Sequence, residues 1–383
     1  MKNCIIKNVL LHNSKKWLKG EVKIKDGYIS EVGFNQVKEK VKRKTNIPVI
    51  DGKGNMLMPG MIDIHFHGID KIDLCTPEIK SIESIEKKML KKGVTGFLAT
   101  FYSLSYSKLK KNLIFYREYL QKRKGKTIIL GVNLEGPFLN KKQSGAHERN
   151  LLTDFSDKKY IELIKEYKDI IKVITLSPEL SKANKYIKLF TGWGIKVMIG
   201  HTLSTFHQSE QAVLSGAAGI THFYNRITPF HHREVGVMGT VFLNRSVFVE
   251  LIADGIHSSP EALQMLFNSV DDDRIILVSD MIMSGGSTHK IKGVQGCFAY
   301  ANKKNIFVGG GSHLINIIKN ITKSLDIDVK RVWRFVSINP ASMLGLKKRI
   351  GCIKKGMKAD MILMDEELII KNVFKAGEKI CVA

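Results

Sequence analysis

Hydrophobic positions change their rhythm twice along this chain. Up to about residue 57 they alternate with polar ones: "CIIKNVLLHN", "GEVKIKDGYISEVG" and "IPVIDGKGN" read as short strands, with turns marked by Asp26-Gly27 and Asp51-Gly52. The closing segment "GCIKKGMKADMILMDEELIIKNVFKAGEKI" reads the same way. Strand-rich ends around a different middle predict one small β-sandwich domain built from both termini, residues 1–57 and 349–383. The middle, 58–348, alternates short apolar runs with helix-like segments. The runs are "MIDIHFH", "TGFLATF", "TIILGVNLEGP", "IKVITLSPE", "IKVMIGH", "AGITHFYN", "FVELIADGIH" and "RIILVSD". Among the helical segments, 78–91 puts Ile79, Ile82, Ile85 and Met89 near one face, and "SSPEALQMLF" supplies a Ser cap followed by Pro260. Eight such alternations predict an α/β fold, a (β/α)8 TIM-like barrel.

Six of the eight runs end in a group able to bind a metal or move a proton: His65 with His67, Glu135, His201, His222, Asp254 with His257, and Asp280. In a parallel barrel the carboxyl ends of all strands open on one face, so residues far apart in sequence can share a pocket there. One histidine at a strand end is ordinary; six recurrences at one phase are a pattern. His65 and His67 lie two apart, on the same face of an extended strand, and can reach a single ion. With Glu135, His201 and His222 they make a mixed nitrogen and oxygen set suited to zinc or another first-row divalent metal. Asp280 offers the carboxylate that a metal-dependent hydrolase needs as base.

Composition changes the picture in three places. The net charge of +25, from 61 Lys and Arg against 36 Asp and Glu, raises nucleic acid as a partner. The basic residues are spread over apparent helix faces, as in "IEKKMLKK". Short runs such as "VKEKVKRK" lack interleaved aromatics, so solvated faces are expected and no nucleic-acid partner. A positive field would still draw in an anionic small substrate. The five cysteines are scattered without CxxC spacing, which predicts reduced thiols. No apolar run approaches the roughly 18 residues of a membrane span, and "MKNCIIKNVLLHNSKKW" is interrupted before a signal-like core forms. No membrane partner and a cytoplasmic location are expected.

The segments "GVNLEGPFLN", "IGH", "THFYN", "HHRE", "IADGIH", "LVSD" and "NPASMLGL" with "GCIKKGMKADMIL" resemble the metal-dependent amidohydrolase superfamily, and within it the N-acetylglucosamine-6-phosphate deacetylases. The similarity runs over nearly the whole chain, and "EGPF" followed by "GAH" is its most specific part. The resemblance implies the same barrel and two-terminus β domain. It assigns Glu135, His201 and His222 as principal metal ligands, Asp280 as catalytic acid and base, and Ala146 and His147 as sugar-binding. Asn225, Arg226, Arg233, Asp254 and His257 match the substrate and phosphate side, and Gly309, Gly310 and Gly311 lay backbone beside the substrate. One or two divalent ions are implied, zinc first, with iron, manganese or cobalt as alternatives; His65 and His67 belong to the second. The expected reaction converts N-acetylglucosamine 6-phosphate to glucosamine 6-phosphate and acetate. N-acetylgalactosamine 6-phosphate or another amide is the alternative substrate, and a homodimer is the expected assembly. The chain departs from the pattern at Arg226, where smaller or neutral residues are common, at "MIMSGG" after Asp280, and at "GGGSHL".

Overall fold

The computed structural model describes residues 3–12, 16–34, 47–285 and 288–380; the basic run 37–44 and Cys381 lie outside them. The chain divides into two compact units. One comprises residues 1–62, 87–96 and 337–383, the other 63–86 and 97–336.

In the first unit, strands from both termini join one hydrogen-bonded sheet of eight. Its order runs Glu378–Ile380, Ile370–Lys375, Met361–Met364, Met56–Pro59, Cys4–His12, Trp17–Lys25, Tyr28–Phe34, with Val49–Asp51 also on Cys4–His12. The amino- and carboxy-terminal parts meet where Leu57 pairs with Leu363. Alternation fixes the register, because a slip of one residue would turn the apolar set to solvent. Val22 and Ile24 accordingly point with Ile6, Val9, Leu363 and Phe374 into a common core. Lys375, at the end of its strand, makes an ion pair of 2.8 Å with Asp360.

All eight predicted runs of the middle become parallel strands: Met61–Phe66, Val94–Phe101, Ile129–Glu135, Ile171–Leu176, Lys196–Ile199, Ala217–Ile220, Phe248–Leu251 and Ile275–Leu277. They are largely apolar because a parallel sheet is covered on both faces, and every residue of Val94–Phe101 is buried. The last strand returns to the first. The Asp280 N–H donates to the His65 carbonyl at 3.0 Å, and Phe66 bridges Met281 in parallel. The strands thus form a nearly closed (β/α)8 barrel.

Helix Ile79–Lys91 forms as the periodicity predicts, with Ile82, Ile85 and Met89 buried. Ile79, its first residue, is instead 58% exposed, since the first turn extends past the packed stretch. Helix Pro260–Ser269 starts on the Ser259 cap. Not expected from the pattern is a three-stranded antiparallel sheet, Thr288–Lys292, Phe298–Asn302 and Phe307–Gly310, inserted after the last barrel strand.

Candidate active site

At the carboxyl ends of the barrel strands lies a cavity of about 410 Å³. The chain delivers side chains to it through a recurrent backbone device. His201, His222 and Asp280 each follow a barrel strand with φ of 49°, 28° and 45°, a left-handed turn that few non-glycine residues adopt. Such turns cost energy and persist where surrounding contacts fix them.

Glu135 is the centre. Its Oε1 lies 2.9 Å from His201 Nε2 and 3.0 Å from His222 Nε2, and those two nitrogens are 3.2 Å apart. On the far side of each ring the Nδ1 faces a backbone carbonyl: Gln143 O at 2.7 Å for His201 and Asn225 O at 3.2 Å for His222. A carbonyl only accepts, so both protons sit on Nδ1 and both Nε2 lone pairs converge beside the carboxylate. Burial holds His201 neutral, pushing its pKa down to about 4 against the pull of Glu135. At this range the two nitrogens and the carboxylate need a cation among them, a proton or a metal ion; at His222 burial opposes the charged ring, but Glu135 outweighs it and raises the pKa. The donor set therefore fits a divalent metal.

A second cluster uses the other oxygen. His65 Nε2 and His67 Nε2 are 3.1 Å apart, at 3.7 and 3.4 Å from Glu135 Oε2 and at 3.4 and 3.2 Å from Asp280 Oδ1. The ligand atoms of His65, His67 and Asp280 all lie within 4.8 Å of one another, and so do those of Glu135, His147 and His201. His147 differs from the others in its tautomer. Its Nδ1 accepts the Ser103 N–H at 3.2 Å, so its proton sits on Nε2, 3.3 Å from Glu135 Oε2. His147 is a donor into the cavity, where the Nε2 atoms of His201 and His222 face Glu135. For Asp280, burial would raise the pKa, but His65 and then His67 outweigh it and hold the carboxyl below its ordinary value. It is a base at neutral pH.

Other expected residues fall into two sets. Ala146, His147, Asn225, Arg226, His257 and Gly309 line the cavity. Asp254, Arg233, Gly310 and Gly311 are not part of its wall. Asp254 is fully buried behind His257, holding the ring Nδ1 at 2.8 Å and the His257 N–H at 2.8 Å. Gly310 packs on the Asp280 segment, where a Cβ would meet Ser279 O at 2.2 Å; its N–H donates to Asp280 O. Gly311 faces Phe298. Arg233 is exposed, in the loop where the rings of His231 and His232 lie 4.3 Å apart.

Two buried carboxylates escaped the sequence reading. Glu250 accepts from His65 Nδ1 at 3.1 Å and from the His222 N–H at 3.3 Å, tying both clusters together. Asp63 accepts the N–H groups of His65 and Ser279, each at 3.3 Å, and burial pushes its pKa up to about 7. The signal was present: each is a lone acid inside an apolar strand run, and Asp63 is in phase with His65 and His67. Asp73 and Tyr102, joined at 2.8 Å, also line the cavity.

The sequence profile of the amidohydrolase family matches residues 56–382. The chain belongs to the amidohydrolase family. As an amidohydrolase it is a hydrolase acting on an amide. Over 97% of its length it is 29% identical to the N-acetylglucosamine-6-phosphate deacetylase of Lysinibacillus sphaericus, covering 96% of that protein. The crystal structure of the Thermotoga maritima N-acetylglucosamine-6-phosphate deacetylase superposes with a TM-score of 0.84 at 28% identity, over 98% of this chain and 99% of that one. A point mutant of the Mycobacterium smegmatis deacetylase, solved with N-acetyl-D-glucosamine 6-phosphate, shares the fold at a TM-score of 0.87 and 20% identity, over 99% of both chains.

Proposed function

We propose that this amidohydrolase removes the acetyl group of N-acetylglucosamine 6-phosphate, giving glucosamine 6-phosphate and acetate in the cytoplasm. The observation that carries the reading is the Glu135-centred cluster with Asp280 beside it in a sugar-sized cavity. The full-length similarity to deacetylases of this name supports the substrate. Glu135, His201 and His222 would hold one divalent ion, zinc first, with iron, manganese or cobalt as alternatives; His65 and His67 would hold a second. A metal held there acidifies water and polarises a carbonyl.

The chain's own groups do the rest. Asp280 takes a proton from the attacking water and returns it to the departing amine nitrogen, so that the C–N bond breaks with a neutral leaving group. His147 donates from Nε2 to the acetamide oxygen as negative charge develops there. Its N–H is aimed in advance, because Ser103 holds the other ring nitrogen. Glu250 and Asp63 orient the His65 strand from behind. His257, locked by Asp254, and Asn225 face the sugar. Arg233 would reach a substrate only from a second copy, in keeping with a homodimer.

Acetate release from a panel of N-acetylglucosamine 6-phosphate, N-acetylgalactosamine 6-phosphate and both unphosphorylated sugars tests the reading. The first should be the best substrate. Equal turnover of the unphosphorylated sugars would overturn the phosphate assignment, and better turnover of the galacto epimer would transfer the function to that sugar.

A further inference from the structure

In the deacetylase reading Asn225 and His257, which follow the sixth and seventh barrel strands, face the sugar. In an eight-stranded barrel the second strand lies across from the sixth. A substrate with its sugar on that side and its acetamide oxygen at His147 therefore turns its acyl methyl towards the first and second strands. The wall there is made by His67, Asp73, Tyr102 and Ser103. Only Tyr102 among these presents a large apolar face, and it is 38% exposed. Its ring lies 6.3 Å from that of His67, and the next residue, Ser103, holds the His147 ring.

The ring is held in place. Tyr102 OH donates to Asp73 Oδ2 at 2.8 Å, and Asp73 Oδ1 accepts the Cys75 N–H at 2.7 Å. The segment that carries Asp73 is pinned in turn, because the Leu74 N–H donates to the His67 carbonyl at 2.8 Å. Helix Tyr106–Lys122 adds two donors from behind: Asn112 Nδ2 to the Cys75 carbonyl at 2.8 Å and the Tyr116 hydroxyl to the Leu74 carbonyl at 3.1 Å. A ring held by packing alone could turn aside for a larger ligand. One tied to a pinned, buried carboxylate is a fixed stop.

We propose that Tyr102 sets the size of the acyl group that the enzyme removes, admitting acetyl and rejecting longer chains. This rests on the deacetylase reading above and adds the acyl half of the specificity to it.

The test measures carboxylate release from the N-formyl, N-acetyl, N-propionyl and N-butyryl derivatives of glucosamine 6-phosphate. The proteins are metal-loaded wild type, Tyr102→Ala, Tyr102→Phe and Tyr102→Trp. A methylene in an apolar pocket is worth about 10- to 200-fold, so wild type should prefer acetyl to propionyl by at least about 10-fold in kcat/KM. Tyr102→Ala should bring that ratio within about threefold and admit butyryl. Tyr102→Phe, which keeps the ring and loses the tether, should fall between the two, and Tyr102→Trp should turn the preference towards formyl. A ratio between two substrates of one preparation does not depend on how much of it is folded, so lost stability alone would not move it. In parallel, thermal midpoints with acetate, propionate and butyrate probe the same wall without the sugar. Acetate should stabilise wild type most, and all three should stabilise Tyr102→Ala alike. Unchanged acyl ratios in Tyr102→Ala, or a wild type that takes butyryl as readily as acetyl, would overturn the proposal. If wild type released carboxylate from none of these substrates, the deacetylase reading would fail, while the carboxylate-dependent midpoints would still decide the role of Tyr102.

Discussion

Glu250 offers the sharpest test of how the site is held together. It is 2% exposed and serves two donors, His65 Nδ1 at 3.1 Å and the His222 N–H at 3.3 Å. Replacing it by Leu leaves both donors buried without an acceptor. A buried unsatisfied donor costs about 1–3 kcal/mol, so the pair costs about 2–6 kcal/mol. Removing a buried carboxylate returns part of that, which places the expected loss at about 2–4 kcal/mol. Glu250→Gln keeps the shape but can accept from only one donor, and should lose about 1–3 kcal/mol. The same changes free the His65 ring to turn, which should weaken metal binding by about 10- to 100-fold, as losses of ligand-orienting groups do. Urea denaturation of metal-free protein reads the first effect and metal titration of the folded protein reads the second. If Glu250→Leu matched wild type in both, the two clusters would not be coupled through this carboxylate.

Prolonged chelation should abolish acetate release and lower the thermal midpoint, because a ligand bound only by the native state stabilises it; adding back Zn, Mn, Co or Fe salts one at a time should restore both and rank the metals. Glu234 accepts the N–H groups of Phe206 at 2.8 Å and Gly236 at 3.0 Å, which together hold its pKa below the ordinary value. A depressed folded-state pKa contributes stability above the unfolded value near 4.5, lost as pH falls through the folded one. Glu234→Gln should therefore narrow its stability gap to wild type as pH falls from about 6 to about 3.5, as followed by thermal melts; a gap that stays constant would count against this assignment.

Much of the fold is legible in the sequence because its physics is local. Strand runs such as "TGFLATF" are mostly apolar since both faces are covered, and the termini alternate since one face meets a core. The inserted sheet from Thr288 to Gly310 escapes because its strands, such as "THKIK", are polar and mostly exposed, so no apolar rhythm marks them. At the site, the strand-end positions announced His201, His222 and Asp280, and Glu135 stood out beside them. What the sequence could not express was the tautomer of each histidine, which depends on whether a carbonyl or an N–H faces Nδ1. His147 and His201 look alike as letters, but Ser103 and Gln143 give them opposite roles. Asp254 and His257 likewise read as a pair of substrate contacts, whereas burial puts one behind the other. Of the histidines and arginines between residues 221 and 236, the structure brings His222 and Arg226 into the cavity and leaves His231, His232 and Arg233 exposed.

The most direct measurement is acetate release from N-acetylglucosamine 6-phosphate by wild type and Asp280→Asn, with bound metal quantified on both. Asp280 lies within 3.4 Å of His65 and 3.2 Å of His67, so the isosteric amide preserves packing while removing the proton acceptor. Asp280→Asn should keep metal at the Glu135, His201 and His222 cluster and lose at least about 100-fold in kcat, the low end for a missing general base. Full activity in Asp280→Asn with normal metal content would contradict the proton-transfer role given to this carboxylate.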